Sequence, residues 1–365
     1  VTTTAEPSLL VGDTAPPAPT AQTTTPARSP YLVGRLYDWA FFLLPPLLSL
    51  LLGALIAGTE FGEKRLWHDG RKLTGAALLT GTLTHAHLVA VFFRSHGNTA
   101  LRRRHPLRFF LVPPLLFAAM MLSDEVALCT TVLVVLWDVY HSSLQTFGLA
   151  RIYDRNQGNP PDAGRKLDLW LNHLLYIGPI LGGATMLAHV SNLESLDALG
   201  DTLFSAIPAQ MEARHRTITW TVIATGVAFL AYYVVASLRL RRRGHRTSPQ
   251  KIFLLVSTGL CSLFAWGFNS FGQAFLIMNV FHAVQYLALV WWSEGKRLRQ
   301  RLRLDRAQVG APLTIALFLG SVLAYGYVAE MAQIEARVLW SIAQTVALMH
   351  FWYDGFIWSV RRKEV

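Results

Sequence analysis

Apolar residues in this chain run in blocks. Windows of about 20 mostly apolar residues, the length that carries a helix across about 30 Å of hydrocarbon, fall near residues 38–58, 74–94, 107–123, 126–148, 168–188, 217–238, 251–271, 273–293, 311–330 and 338–360. Short polar runs separate them. In lipid a helix satisfies its own backbone hydrogen bonds, so the pattern predicts an all-α fold. The expected architecture is a polytopic membrane bundle of about ten transmembrane helices, forming a single domain over residues 31–365.

The first 30 residues break this pattern. VTTTAEPSLLVGDTAPPAPTAQTTTPARSP is rich in Thr, Pro and Ala, with too few large apolar residues for a core, and reads as a disordered tail. Nothing in it joins a basic start to a long apolar run, so insertion is expected to rely on the first span.

Composition agrees with the membrane class: 52% of the residues are hydrophobic and 15% charged, too apolar a balance for a soluble protein of 365 residues. Cys129 and Cys261 both fall in apolar stretches and neither has a CxxC partner, so they suggest neither a disulfide framework nor a zinc knuckle. The net charge of +11 is spread over short runs between spans, which excludes a basic nucleic-acid domain. Of the 33 Lys and Arg, 26 lie in the N-terminal segment, alternate loops and the C-terminal tail, and 7 in the other loops. By the positive-inside rule the ten-span reading puts both termini in the cytoplasm, as for a bacterial inner-membrane protein. The run KRLRQRLRLDR reads as a topology determinant. The loop SNLESLDALGDTLFSAIPAQMEAR suits a short interfacial helix.

Polar residues inside apolar spans are costly, about 2.5–3.5 kcal/mol for a central Asp, Lys or Arg, and should face the bundle interior. In WDVYHSSLQ, Asp138, His141 and Gln145 follow at i, i+3, i+7 and share one stripe. Asn279, His282 and Gln285 or Tyr286 repeat the spacing in the eighth span, and His350 and Asp354 stand at i, i+4 in the tenth. In the second span His85 and His87 are about 200° apart around the helix, so one at most faces a given site. His85, about 20° from His96 by the same geometry, is taken as the inward residue and His87 as the reserve.

On the ten-span topology the second, fourth, eighth and tenth spans run in one direction, with His85, His141, His282 and His350 at similar depth. Neutral imidazole is the commonest transition-metal ligand, and carboxylates complete the sets typical of non-haem iron. The expected ligands are therefore His85, Asp138, His141, His282, His350 and Asp354, holding one or two iron ions. His87, His96 and His173 are possible further ligands or relays. Gln145, Asn279, Gln285 and Tyr286 are expected to orient the ligands, and Tyr353 to border the site or its substrate. Trp291, Trp292 and Trp358 read as interfacial anchors. Copper is less favoured because no Met or Cys joins the set, zinc stays open, and histidines paired on haem are an alternative.

This grouping resembles, in chemistry alone, the integral-membrane non-haem iron enzymes: lipid desaturases, hydroxylases and carotenoid-cleaving dioxygenases. Their HxxxH and HxxHH boxes are replaced here by THAHL, DVYHSSLQ, FHAVQY and HFWYD. The reading is an iron-dependent membrane oxidoreductase or oxygenase acting on a lipophilic substrate. Its expected partners are membrane lipids, an apolar small molecule and a reductase or small electron carrier, with no nucleic acid. A haem- or quinone-binding electron-transfer subunit and a proton-coupled transporter are the other classes considered.

Overall fold

The computed structural model describes residues 29–68, 71–183, 185–187, 203–331 and 337–358. The tail expected over residues 1–30 lies outside the described residues except for its last two positions, and so does the start of the 191–214 loop. The fold is all-α. Among the described residues ten main helices follow one another: α1 (Pro45–Ile56), α2 (Gly75–Ser95), α3 (Val112–Leu122), α4 (Asp124–Asn156), α5 (Arg165–Gly182), α6 (Leu203–Arg242), α7 (Pro249–Phe268), α8 (Phe271–Arg301), α9 (Gly310–Met331) and α10 (Arg337–Ile357). A two-stranded antiparallel hairpin, β1 (Leu66–His68) and β2 (Arg71–Leu73), joins α1 to α2, with Leu66 opposite Leu73.

Each helix matches one of the apolar windows, and side-chain caps set several of their starts. Thr74, Ser123, Ser248 and Ser270 accept hydrogen bonds from Ala77, Val126, Lys251 and Gln273 N–H, satisfying donors that a first helical turn leaves orphaned. Among the described residues six helices are long and apolar enough to cross a membrane: α2, α4, α6, α7, α8 and α9. A seventh candidate is the pair Arg35–Leu43 and Pro45–Ile56, bent by 48°.

That bend has a local cause. Pro45 and Pro46 have no N–H, so the carbonyls one turn earlier lose their helical donors, and the chain forms a π-helical turn at Trp39–Leu43. Phe42 O, whose partner would have been residue 46, instead accepts from Gln285 Nε2 at 2.8 Å. A side chain of α8 thus completes a broken backbone ladder.

The molecule is apolar on its outside. Leu48, Leu51, Leu55, Leu136, Trp220 and Val227 are exposed, while His87, His141, His282, His350 and Asn172 are buried. This inversion is consistent with an integral membrane protein, in which the solvent is lipid. Helix α8 is the central element, packed against α1, α2, α7 and α9. Helix α2 lies along α9 at close range: a Cβ on Gly326 would stand 2.2 Å from Thr82 O. The 191–214 loop differs from expectation in its second half, because α6 begins at Leu203 and runs unbroken through 40 residues.

Candidate metal centre

Four helices bring their polar stripes to one point. Helix α4 supplies His141, α10 supplies His350 and Asp354 one turn apart, α8 supplies His282 and Tyr286 one turn apart, and α2 supplies His87. Residues at i and i+4 lie on one helix face, so each stripe survives as a unit when the helices pack.

The tightest group is His141, His350 and Asp354, whose ligand atoms all lie within 4.8 Å of one another. The Nε2 atoms of His141 and His350 are 3.0 Å apart. Asp354 Oδ2 is 3.8 Å from His141 Nε2 and 3.9 Å from His350 Nε2. With a metal–imidazole bond of about 2.1 Å, ligands at a right angle lie about 3.0 Å apart and opposite ligands about 4.2 Å apart. All three separations fall within that span.

The rings of His87 and His282 close the other side. Their centroids are 4.9 Å apart and nearly perpendicular; His87 is 5.0 Å from His350, and His282 is 5.4 Å from His141. Among the described residues neither ring nitrogen of His282 has a hydrogen-bond partner although both are buried, and His87, equally buried, has only the Leu83 and Thr84 backbone of its own helix within reach. Buried polar atoms are normally satisfied, and the orphaned imidazole nitrogens of His282 beside a two-histidine, one-carboxylate group fit a cation held among them. Two neutral imidazoles and a carboxylate on one side of an ion are the donor set of non-haem iron(II) oxygenases.

The outer partners fix how this group presents its lone pairs. His350 Nδ1 donates to Leu88 O at 3.0 Å. A carbonyl can only accept, so a neutral His350 carries its proton on Nδ1 and turns a bare Nε2 inward. Asp354 Oδ1 accepts from Tyr286 Oη at 2.8 Å and from Trp358 Nε1 at 2.9 Å, leaving Oδ2 toward the histidines. Behind Trp358 lies a buried ion pair: Arg94 Nη1 donates to Glu294 Oε1 at 3.0 Å, and Arg94 Nε and Nη2 donate to Ile357 O. The Arg94 guanidinium sits 4.0 Å from the centroid of the Trp358 ring. The ends of α2, α8 and α10 are tied together there, which steadies the ring that holds Asp354.

Other residues expected at the site are placed elsewhere. Packing turns His87, not His85, toward α8 and α10; His85 faces α9, with Nε2 3.8 Å from Glu330 Oε2. The shared angle of His85 and His96 does not bring them together either. His96 Nε2 donates to Phe109 O at 2.9 Å while its Nδ1 pairs with Ser95 Oγ, tying the loop after α2 to the short helix Pro106–Phe110. His173 pairs with Ser143 Oγ at 2.8 Å and stacks on Tyr140, an α4–α5 contact. Asp138 is outside the His141–His350–Asp354 group and lies within electrostatic reach of Tyr176 on α5.

The amides hold helices rather than imidazoles. Gln145 Nε2 donates to His282 O at 3.2 Å and to Gln285 Oε1 at 3.1 Å, touching the backbone of His282 and not its ring. Gln285 continues to Phe42 O, so the pair bridges α4, α8 and the π-helical turn. Asn279 donates to Phe275 O of its own helix. Tyr353 donates to Arg108 O at 3.1 Å and packs on Phe109, away from Asp354. Tyr286 does support the group, through Asp354.

Sequence reasoning missed Arg94, Glu294 and Trp358. Arg94 counts there as one more loop cation and Trp358 as an interfacial anchor. The available signal was Glu294 itself, a lone acid at the end of an apolar span beside a strongly basic run. No family model matches the chain, and neither a curated protein nor a solved structure matches it.

Proposed function

We propose that this chain is an integral-membrane, non-haem iron oxidoreductase acting on a lipophilic substrate, with the metal held by His141, His350 and Asp354 and flanked by His87 and His282. The observation that carries the reading is the 3.0 Å approach of the two Nε2 atoms with Asp354 Oδ2 3.8–3.9 Å from both. A bound iron supplies redox chemistry with O2 there. The protein's own groups orient that ion and shape the space around it. Leu88, Ala347 and Phe351, with Trp137 packed against them, form an apolar cluster beside the histidines, so the immediate surroundings of the group are hydrocarbon-like. A reductase or small electron carrier would supply electrons, unless both oxygen atoms enter the product.

The proposed topology is that all ten helices cross or enter the membrane, with the segments before the first and after the last on the cytoplasmic side of a bacterial-type inner membrane. The 26-to-7 division of Lys and Arg supports it. Helix α10 has the 21 residues that a crossing needs, and His350 and Asp354 are among the polar residues that lower its mean hydropathy.

The spacing of His141 and His350 does not suit that pair as the two axial ligands of one haem. Two axial imidazoles on one haem iron stand about 4 Å apart across the porphyrin, twice a bond of about 2.0 Å, against the 3.0 Å between His141 and His350. The test is metal analysis with an optical spectrum of the purified protein. Stoichiometric iron without a Soret band supports the proposal; a Soret band, or a protein with no metal, overturns it.

A further inference from the structure

A second built feature lies on the other flank of the bundle. Helices α5, α6 and α7 enclose a cleft of about 820 Å³, inside the range of about 300–1,000 Å³ usual for small-molecule sites. It shares no residue with the His141–His350–Asp354 group. Small residues line it, Gly178 and Gly182 on α5, Gly226 on α6 and Gly259 on α7, and they let the three helices approach closely: a Cβ on Gly259 would stand 2.9 Å from Leu175 and one on Gly182 3.2 Å from Val222. Its remaining walls are mostly apolar and include the exposed Val256, Leu260 and Phe268, with Tyr233 and Lys251 at one end.

One end of this cleft is basic. Tyr233, Val234, Lys251 and Ile252 also line an adjoining cavity of about 270 Å³, which reaches Arg241, His245 and Ser248. Lys251 is already engaged there: its Nζ lies 2.7 Å from Asp168 Oδ2 and 3.6 Å from Asp154 Oδ1. Arg151 bridges the same two carboxylates. The buried charges therefore balance, two acids against two bases. Excess positive charge comes from the segment beside it: Arg241 lines the smaller cavity, and Arg241 and its chain neighbours Arg242, Arg243 and Arg246 are exposed and make no ion pair among the described residues. The loop that carries Arg246 is fixed, because Arg246 N–H donates to Asn159 Oδ1 at 2.8 Å and Arg246 O accepts from Asn159 Nδ2 at 2.7 Å.

We propose that the α5–α6–α7 cleft binds one anionic phospholipid of the bilayer, an acyl chain in the glycine-lined cleft and the phosphate on the arginine rim headed by Arg241. An apolar slot continuous with unpaired cationic side chains complements that class of amphiphile better than a zwitterionic one, whose phosphate is offset by its own ammonium. The site depends on membrane insertion and is independent of the metal.

Native mass spectrometry of the detergent-purified protein tests this, with phosphatidylglycerol, phosphatidylcholine and inorganic phosphate as probes. One phosphatidylglycerol is expected to bind per chain in preference to phosphatidylcholine and to resist displacement by inorganic phosphate. Val256→Trp, which fills the slot, is expected to abolish binding; Leu260→Trp is the second filling variant if the first does not fold. Arg241→Gln is expected to weaken phosphatidylglycerol about fivefold, the worth of one basic side chain at an anionic surface, and to leave phosphatidylcholine unchanged. Equal binding of the two lipids by the unmodified protein, displacement by phosphate alone, or undiminished phosphatidylglycerol binding in a folded filling variant would each overturn the proposal.

Discussion

Tyr286 on α8 donates its hydroxyl to Oδ1 of Asp354 on α10 at 2.8 Å, so the carboxylate beside His141 and His350 is aimed by a residue from a different helix. Tyr286→Phe removes that donor and leaves Trp358 as the single one. Metal affinity is expected to fall about 10- to 100-fold, the usual effect of losing an outer hydrogen bond to a ligand, with helical content unchanged. A competition titration with a chelator measures the first and circular dichroism the second; unchanged affinity would remove Tyr286 from the site.

The histidines divide into two predicted classes. His141→Ala and His350→Ala are expected to purify without stoichiometric iron, because each removes one of three converging ligand atoms. His85→Ala is expected to keep its metal, since His85 faces Glu330. Metal content of the three variants, measured side by side, decides it. Retention in both of the first two would sink the proposed ligand set.

Breaking the pair of Arg94 and Glu294, both about 5% exposed, should be severe. Arg94→Met leaves a buried carboxylate whose remaining partner is Arg297, and the expected loss is about 3–5 kcal/mol of stability. The double variant Arg94→Met, Glu294→Leu is expected to recover much of it, because no uncompensated charge is left behind. Thermal unfolding in detergent of both variants provides the comparison.

Gln285→Leu should destabilise the bend before α1. It leaves Phe42 O without the donor that replaces the missing N–H of Pro46, a loss of about 1–3 kcal/mol for a buried unsatisfied carbonyl. Iron content is expected to persist, since Gln285 bonds Phe42 O rather than an imidazole. Thermal unfolding together with metal analysis separates these two outcomes.

Gly326→Ala brings a Cβ to 2.2 Å from Thr82 O and 2.9 Å from Ala86 N. Both are backbone atoms of α2 and cannot rotate aside, so α9 must move away. The expected result is a lower unfolding temperature, whereas Gly320→Ala, with nothing within 4 Å of its added Cβ, is expected to be near neutral.

Much of the site was legible because helical spacing is local. His350 with Asp354, and His282 with Tyr286, are single-turn pairs that any packing must keep on one face. Asp138 with His141 obeys the same rule less tightly: three residues span about 300°, enough for His141 to meet α10 while Asp138 lies near Tyr176. The amide roles were not legible. Gln145 and Gln285 stand in register with the histidines, yet Gln285 bonds a carbonyl freed by a proline break in a different helix and Gln145 bonds Gln285 and the backbone of His282.

What the amino-acid sequence determines by itself is what depends on chain-local physics: the membrane class, from the length of its apolar blocks; the helices, from the need to satisfy backbone hydrogen bonds in lipid; and the polar stripes, from periodicity. What only the tertiary structure decides is the rotation of each helix about its axis, and with it the choice of His87 over His85 and of Asp354 over Asp138. Two residues about 200° apart on α2 each face a neighbouring helix, so the pattern within α2 cannot rank them. The close approach of α9 at Gly326 directs one face of α2 to Glu330 and leaves the other, with His87, to the histidines of α8 and α10.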